Sequence, residues 1–223
     1  MYGLARTSLQ APPPDPPPRA LLRAHTLILR TTLHRLWRLR WDNTHKEAFW
    51  RLAANGFSAF PMHASNLQRG LPAARCPCGT AMDFGDRRHH FWDCVIARTL
   101  LDDLQRHAAA PLSRAHVWLA QPPALLSPVV WDVVVLACLS ALEGGRRALY
   151  AARASRDSVL PRATLTRIGV TVTLDFWARL HDFATLGLAP PDWSTVPPSH
   201  PFLCRAGDDS IVAVLPDAAS MPA

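Results

Sequence analysis

The segment RCPCGTAMDFGDRRHHFWDC, residues 75–94, constrains this chain more than any other stretch. Three of the chain's five cysteines, Cys76, Cys78 and Cys94, fall within nineteen residues, with His89 and His90 between the second and the third. Four soft ligands in so short a window describe a tetrahedral Zn²⁺ shell of three thiolates and one imidazole, the arrangement of a closed structural site. Gly79, directly after the second cysteine, lets the chain turn back around the metal. His89 stands five residues before Cys94 and His90 four, so either imidazole can face that cysteine, and spacing leaves the choice open. The competing reading is of unpaired buried cysteines beside two solvated histidines. With all four positions filled by protein there is no place for water or substrate, so a catalytic metal is not expected. An odd cysteine count, in a chain of 223 residues whose opening MYGLARTSLQ lacks an apolar core, argues against a disulfide framework and against secretion. An intracellular location, nucleus or cytoplasm, is expected.

Charge is the second constraint. Basic residues outnumber acidic ones 24 to 17, a net of +7, and Lys46 is the one lysine. The positive charge is therefore almost wholly guanidinium, a planar fork of donors suited to phosphate. It is also unevenly spread. Residues 1–75 hold eleven basic and three acidic residues, a net of +8, whereas residues 76–223 hold thirteen against fourteen, a net of −1. Residues 20–41 have helical periodicity, with Leu21, Leu22, Ile28, Leu29, Leu33, Leu36, Trp37 and Leu39 on one broad face. Arg23, Arg30, His34, Arg38 and Trp41 form a stripe on the other. This stripe is either a solvated face on a core helix or a phosphate-binding surface. With Arg75, Arg87 and Arg88 around the cysteine cluster, Arg23, Arg30 and Arg38 are the candidate contacts for RNA or DNA. Arg75, Arg87 and Arg88 could instead offset the −1 charge of three thiolates on Zn²⁺. Phe91 and Trp92 are expected to plug the small core beneath the metal, stacking on unpaired bases being the other use of such aromatics.

The rest of the chain divides by composition. Residues 1–19 end in APPPDPPPR and read as a proline-rich, disordered tether, a possible ligand for a protein partner. Residues 20–107 form a helical zinc-binding module, with a break at Asn55-Gly56 and a proline-punctuated loop through Pro61 and Pro72. Residues 108–190 form a second helical domain. Ser127-Pro128 is an N-cap and first-turn pair opening an apolar helix over 129–142, where the run 133–135 would also tolerate a strand, and Gly144-Gly145 marks its end or a kink. A last long helix spans 164–186, with Leu165, Ile168, Val172, Phe176, Leu180 and Phe183 on one side. Residues 191–223 read as an irregular tail. The fold class is mostly α: a basic helical lead-in, a small loop-rich zinc site, then a helical bundle, with no large sheet. The apolar run 129–142 falls short of the ~20 residues of a membrane span, and Asp132 interrupts it, so no membrane association is expected.

Catalytic motifs are missing. Asp102-Asp103 lies in a helical segment and reads as its solvated side. Asp208-Asp209, in AGDDSIVAV, resembles the Gly-Asp-Asp turn of polymerases but reads as a surface turn. No glycine-rich phosphate loop, nucleophile elbow or His-Glu-x-x-His motif appears. Cys138 and Cys204 read as small apolar residues and His200 as a loop residue. The chain is not expected to be an enzyme.

The run LWRLRWDNTHKEAFWRLAANG (36–56), followed by RCPCG and HHFWDCVIA, resembles the zinc-binding region that follows the polymerase domain in non-LTR retrotransposon reverse transcriptases. That family shows a tryptophan-rich helical lead-in, a cysteine pair with glycine, then a histidine, a few aromatic or apolar residues and a cysteine. The resemblance covers residues 36–104 and implies Cys76, Cys78, His89 and Cys94 as the ligands of Zn²⁺. The family spaces its first pair by two residues, whereas Pro77 alone separates them here. The implied role is non-catalytic binding of an RNA template or a DNA target. The alternatives are a zinc-stapled module for protein interaction or assembly, and a decayed retroelement fragment without selected function.

Overall fold

In a computed structural model, the protein is described over residues 19–53, 75–80, 87–153, 158–188, 193, 196, 198–208 and 210–216, with side chains from Leu27 onward in the first helix. The proline tether, the break at Asn55-Gly56 and the loop through Pro61 and Pro72 lie outside the described residues, as does the side chain of Arg23.

The protein is mostly helical. Helix α1 (Arg19–Arg38) and helix α2 (Asn43–Ala53) form the basic lead-in. A single π-helical turn, His89–Asp93, leads into α3 (Val95–Ala108), and the short α4 (Arg114–Trp118) precedes the two long helices α5 (Pro128–Ala151) and α6 (Arg162–Thr185). The sheet is one antiparallel hairpin, β1 (Leu203–Arg205) with β2 (Ile211–Ala213), in the register Leu203↔Ala213.

Local chemistry sets the boundaries. α1 stops at Arg38, and Asp42 then accepts the Thr44 backbone N–H at 2.7 Å, capping α2. The turn between them moves Trp41 off the expected basic stripe and into the core, where it stacks on His45 and meets Phe183 edge-on. Trp37, expected on the apolar face, is instead half exposed. Ser127 occupies the N-cap position of α5 with Pro128 at its first turn, as the sequence predicts, though its hydroxyl makes no cap bond.

α5 is the centre of the fold. Val130 to Leu139 are buried without interruption, and the helix packs along α6 and beneath α2. Its apolar run is therefore helix, not strand. The helix does not end at Gly144-Gly145 but runs on to Ala151, and Gly145 is a close-packed crossing point. A Cβ there would sit 2.3 Å from Val172 Cγ2 of α6 and 3.3 Å from Ile96 Cγ2 of α3. Gly169 of α6 plays the same part against Thr99 of α3, where a Cβ would lie 3.0 Å from the hydroxyl. By length and composition α5 could cross a membrane, but 78% of its most apolar window is buried inside the fold. The buried apolar residues form one contiguous cluster to which α1, α2, the π-turn, α3, α5, α6 and the hairpin all contribute.

Two further expectations change. Residues 191–223 contain the β-hairpin, whose turn Asp208 closes by accepting from both the backbone and the hydroxyl of Ser210. Asp103 is buried rather than solvated, bonded to Arg106 at 2.8 Å and to the Trp177 indole N–H at 3.1 Å. Asp132, buried within the apolar run of α5, is gripped by two donors of Arg35 of α1, which also bonds the Ala120 carbonyl at 3.0 Å.

Candidate metal centre

Two short devices bring four ligands together. The first is a tight turn at Cys76. The Gly79 N–H donates to the Cys76 carbonyl at 2.8 Å and the Cys76 N–H donates to the Thr80 carbonyl at 3.0 Å. Closing that turn requires φ +97° at Gly79, the left-handed region open to glycine. The Pro77 carbonyl accepts the Leu160 N–H at 2.8 Å, which ties the turn to the chain entering α6.

The second device is the π-turn. The Cys94 N–H donates to the His89 carbonyl at 2.6 Å, a bond spanning five residues. In an α-helix the residue four positions back shares a face with a given side chain; a π-turn moves that relation to five. His89 is thereby set beside Cys94. His90 turns aside, its Nε2 3.3 Å from the Tyr150 hydroxyl and its ring edge-on to Tyr150.

The ligand atoms of Cys76, Cys78, His89 and Cys94 all lie within 4.8 Å of one another, and Cys78 Sγ is 3.3 Å from His89 Nε2. A Zn²⁺ shell with Zn–S of about 2.3 Å needs its sulfurs about 3.7 Å apart, so the cluster fits a tetrahedral ion after a small contraction. None of the five cysteines is in a disulfide. Cys76, His89 and Cys94 are buried and Cys78 is half-buried, with Phe91 fully buried beneath. These four side chains could hold a metal ion, and three sulfurs with one nitrogen are the soft donor set that suits zinc.

The electrostatics describe groups that share protons. Hydrogen bonds to Cys78 and Cys94, together with burial, push the Cys76 thiol up. The same contacts, from Cys76 and Cys94, hold Cys78 well below the usual thiol range. Burial draws the His89 imidazole down, but hydrogen bonds to the Cys78 and Cys94 sulfurs and their negative charge outweigh it and raise it to about 10. A divalent ion bound here would replace the shared protons as the positive partner. Cys94 is also the N-cap of α3, so the positive end of that helix dipole faces the centre.

The candidate arginines separate into two groups. Arg87 donates to the Leu52 carbonyl at 2.6 Å and lies over the Trp118 ring, while Arg88 pairs with Asp93 at 2.8 Å. Arg30, Arg38 and Arg75 are exposed. Arg35, absent from the candidates, is the arginine that links α1 to α5, and its buried partner Asp132 in an otherwise apolar run was the signal for it. The other missed feature is the pair of exposed indoles, Trp37 and Trp50, beside Arg30 and His34. No protein-family model matches the chain, and neither a curated protein nor a solved structure shows significant similarity to it.

Proposed function

We propose that this chain is a non-catalytic, zinc-stapled helical module that binds RNA or DNA, related to the zinc-binding region of non-LTR retrotransposon reverse transcriptases. The observation that carries the reading is the convergence of Cys76, Cys78, His89 and Cys94. Four protein ligands complete a tetrahedral shell, so the ion serves as a cross-link between the Cys76 turn and the start of α3. The nucleic-acid side of the reading is supported by the exposed Arg30 and Arg38 of α1, which make no ion pair among the described residues, and by Arg75 at the metal turn. Exposed guanidinium groups without carboxylate partners are free to neutralise phosphates and release their counterions.

Native mass spectrometry of the intact protein is expected to find one zinc ion per chain. Affinity for a single-stranded oligonucleotide is expected to fall steeply with salt. The combined variant Arg30→Gln, Arg38→Gln should flatten the log–log salt slope by about 1.4, at about 0.7 per phosphate contact. A chain that carries no metal, or that binds no oligonucleotide at low ionic strength, would overturn the proposal.

A further inference from the structure

The groove between α1 and α2 combines features that a solvated helical face does not need. Trp37 and Trp50 face one another across it, with ring centroids 6.4 Å apart and planes crossing at 73°. They are 49% and 50% exposed, and Leu27 at the same groove is 67% exposed. An edge-to-face pair covers at most one of its four ring faces, so flat apolar surface is left open to water. Large aromatics gain most from burial, which makes this arrangement costly unless something covers it. The groove has a volume of about 730 Å³ and is lined by Arg30 and His34 as well as the two indoles, with no acidic side chain among the described lining residues. Arg38, one helical turn beyond His34, is exposed at the same end of α1.

We infer that this groove is a stacking site for the unpaired bases of single-stranded RNA or DNA. The inference rests on the nucleic-acid reading given above and specifies which form of the polymer is bound. Charge complementarity selects the occupant. A partner must bring negative charge to Arg30, with Arg38 nearby on α1, and flat apolar faces to Trp37 and Trp50 at the same time. A single strand offers one phosphate and one π-face in each nucleotide. A duplex offers the phosphates but keeps its bases stacked on one another, so it can satisfy the arginines and leave the indoles uncovered.

Fluorescence anisotropy tests this with the zinc-loaded full chain and three labelled probes: oligouridine and oligothymidine of about twelve nucleotides, and a duplex of the same length. Trp37→Leu and Trp50→Leu are each expected to weaken single-strand binding about tenfold or more, while duplex affinity stays within about twofold. Trp37→Phe keeps a stacking face and should retain most of the affinity, which separates stacking from misfolding. Metal stoichiometry and melting temperature of each variant provide the folding control. Unchanged single-strand affinity in both leucine variants would overturn the inference, as would an equal loss on the duplex. Dimerisation of the chain that depends on Trp37 and Trp50, seen by sedimentation, would overturn it too. If the wild type binds no oligonucleotide, the nucleic-acid reading itself fails. If Arg30→Gln, Arg38→Gln abolishes binding and the leucine variants do not, only the stacking site fails.

Discussion

Gly144 and Gly145 are neighbours in the middle of α5, and alanine is expected to have opposite effects at the two positions. In a helix interior, alanine is favoured over glycine by about 0.5–1 kcal/mol because it restricts the unfolded chain. At Gly144 nothing opposes that gain: the residue is exposed, and the nearest atom to an added Cβ is Asp175 Oδ2 at 3.7 Å, an ordinary contact. Gly144→Ala should therefore stabilise the fold by about 0.5–1 kcal/mol, raising the melting temperature by about 1–4 °C in a chain of this size. At Gly145 the added methyl would lie 2.3 Å from Val172 Cγ2, whereas carbon atoms in contact sit about 3.5–4.0 Å apart. Val172 is buried and β-branched, with few rotamers to retreat into, which places the overpacking cost near the upper end of about 1–3 kcal/mol. After the helical gain is subtracted, Gly145→Ala should destabilise by about 2 kcal/mol, or about 4–8 °C.

The same methyl would press on Ile96 Cγ2 at 3.3 Å, two residues beyond Cys94, so Gly145→Ala should also weaken metal binding, which Gly144→Ala should leave alone. Thermal and urea denaturation of both variants, with and without chelator, provide the assay. A double-mutant cycle with Val172→Ala isolates the clash, because that change deletes the opposing methyls. The double variant should be more stable than the sum of the two single effects by about 3 kcal/mol, the whole overpacking cost, since the helical gain is common to both backgrounds. Equal shifts for the two glycines, or strict additivity in the cycle, would refute the steric account of the α5–α6 crossing.

Three further outcomes follow from other parts of the molecule. Cys94→Ser keeps the backbone bond to His89 but removes a ligand. Losing a mere supporting contact to a ligand costs about 10–100-fold, so metal affinity should fall by more than about 100-fold; a serine variant with a full complement of metal would exclude Cys94 as a ligand. Metal binding at pH 7 should release about two protons or more, since Cys76 is held protonated and His89 is raised to about 10. Affinity should therefore rise with pH, and titration calorimetry giving the same heat in buffers of different ionisation enthalpy would contradict this. Arg35→Met would strand the Asp132 carboxylate, 1% exposed, at a cost of about 3–5 kcal/mol in denaturant melts near neutral pH. Burial raises Asp132 to about 6 even with Arg35 lowering it, so the folded state binds the extra proton between about 4 and 6. Stability should consequently fall as pH rises through that window, and keep falling to higher pH once Arg35 is gone, because Asp132 then rises further.

What the sequence revealed depended on whether a residue's role was set by its own neighbours along the chain. The buried face of α6, from Ile168 through Val172, Phe176 and Leu180 to Phe183, is periodic and was legible. So were the Ser127-Pro128 start of α5 and the clustering of Cys76, Cys78 and Cys94 with a histidine, because short spacing forces nearby side chains together. Partners supplied from elsewhere were not legible. Gly145 and Gly169 look like helix punctuation until Val172 and Thr99 are placed against them. Arg35 lies among many arginines, and only Asp132, 97 residues away, separates its role from theirs. The choice between His89 and His90 turned on a π-turn, and α-helical spacing cannot foresee a bond to the fifth residue. Three-residue strands such as β1 and β2 are too short to display alternation.

The candidate metal turn and the basic helices are joined mechanically, which would give a bound ion a place in the proposed nucleic-acid binding without contact to the polymer. α2 has eleven residues, too few for a helix to hold its own conformation in water, so its position depends on what it packs against. Ala48, Phe49 and Leu52 are its buried side chains, and α5 lies beneath it. At its C-terminal end, the Leu52 carbonyl is one of those a helix leaves unsatisfied, and the Arg87 guanidinium fills it at 2.6 Å. Arg87 stands two residues before His89, directly ahead of the π-turn that carries two of the four ligands. The ligands thus fix the π-turn, the π-turn fixes Arg87, and Arg87 anchors the end of α2 two residues from Trp50. A metal that cross-links Cys76 and Cys78 to His89 and Cys94 would by this route hold Trp50 opposite Trp37 and keep the groove open. Arg87, a candidate phosphate contact on charge alone, would by this geometry also serve as a strut between the candidate metal centre and the groove.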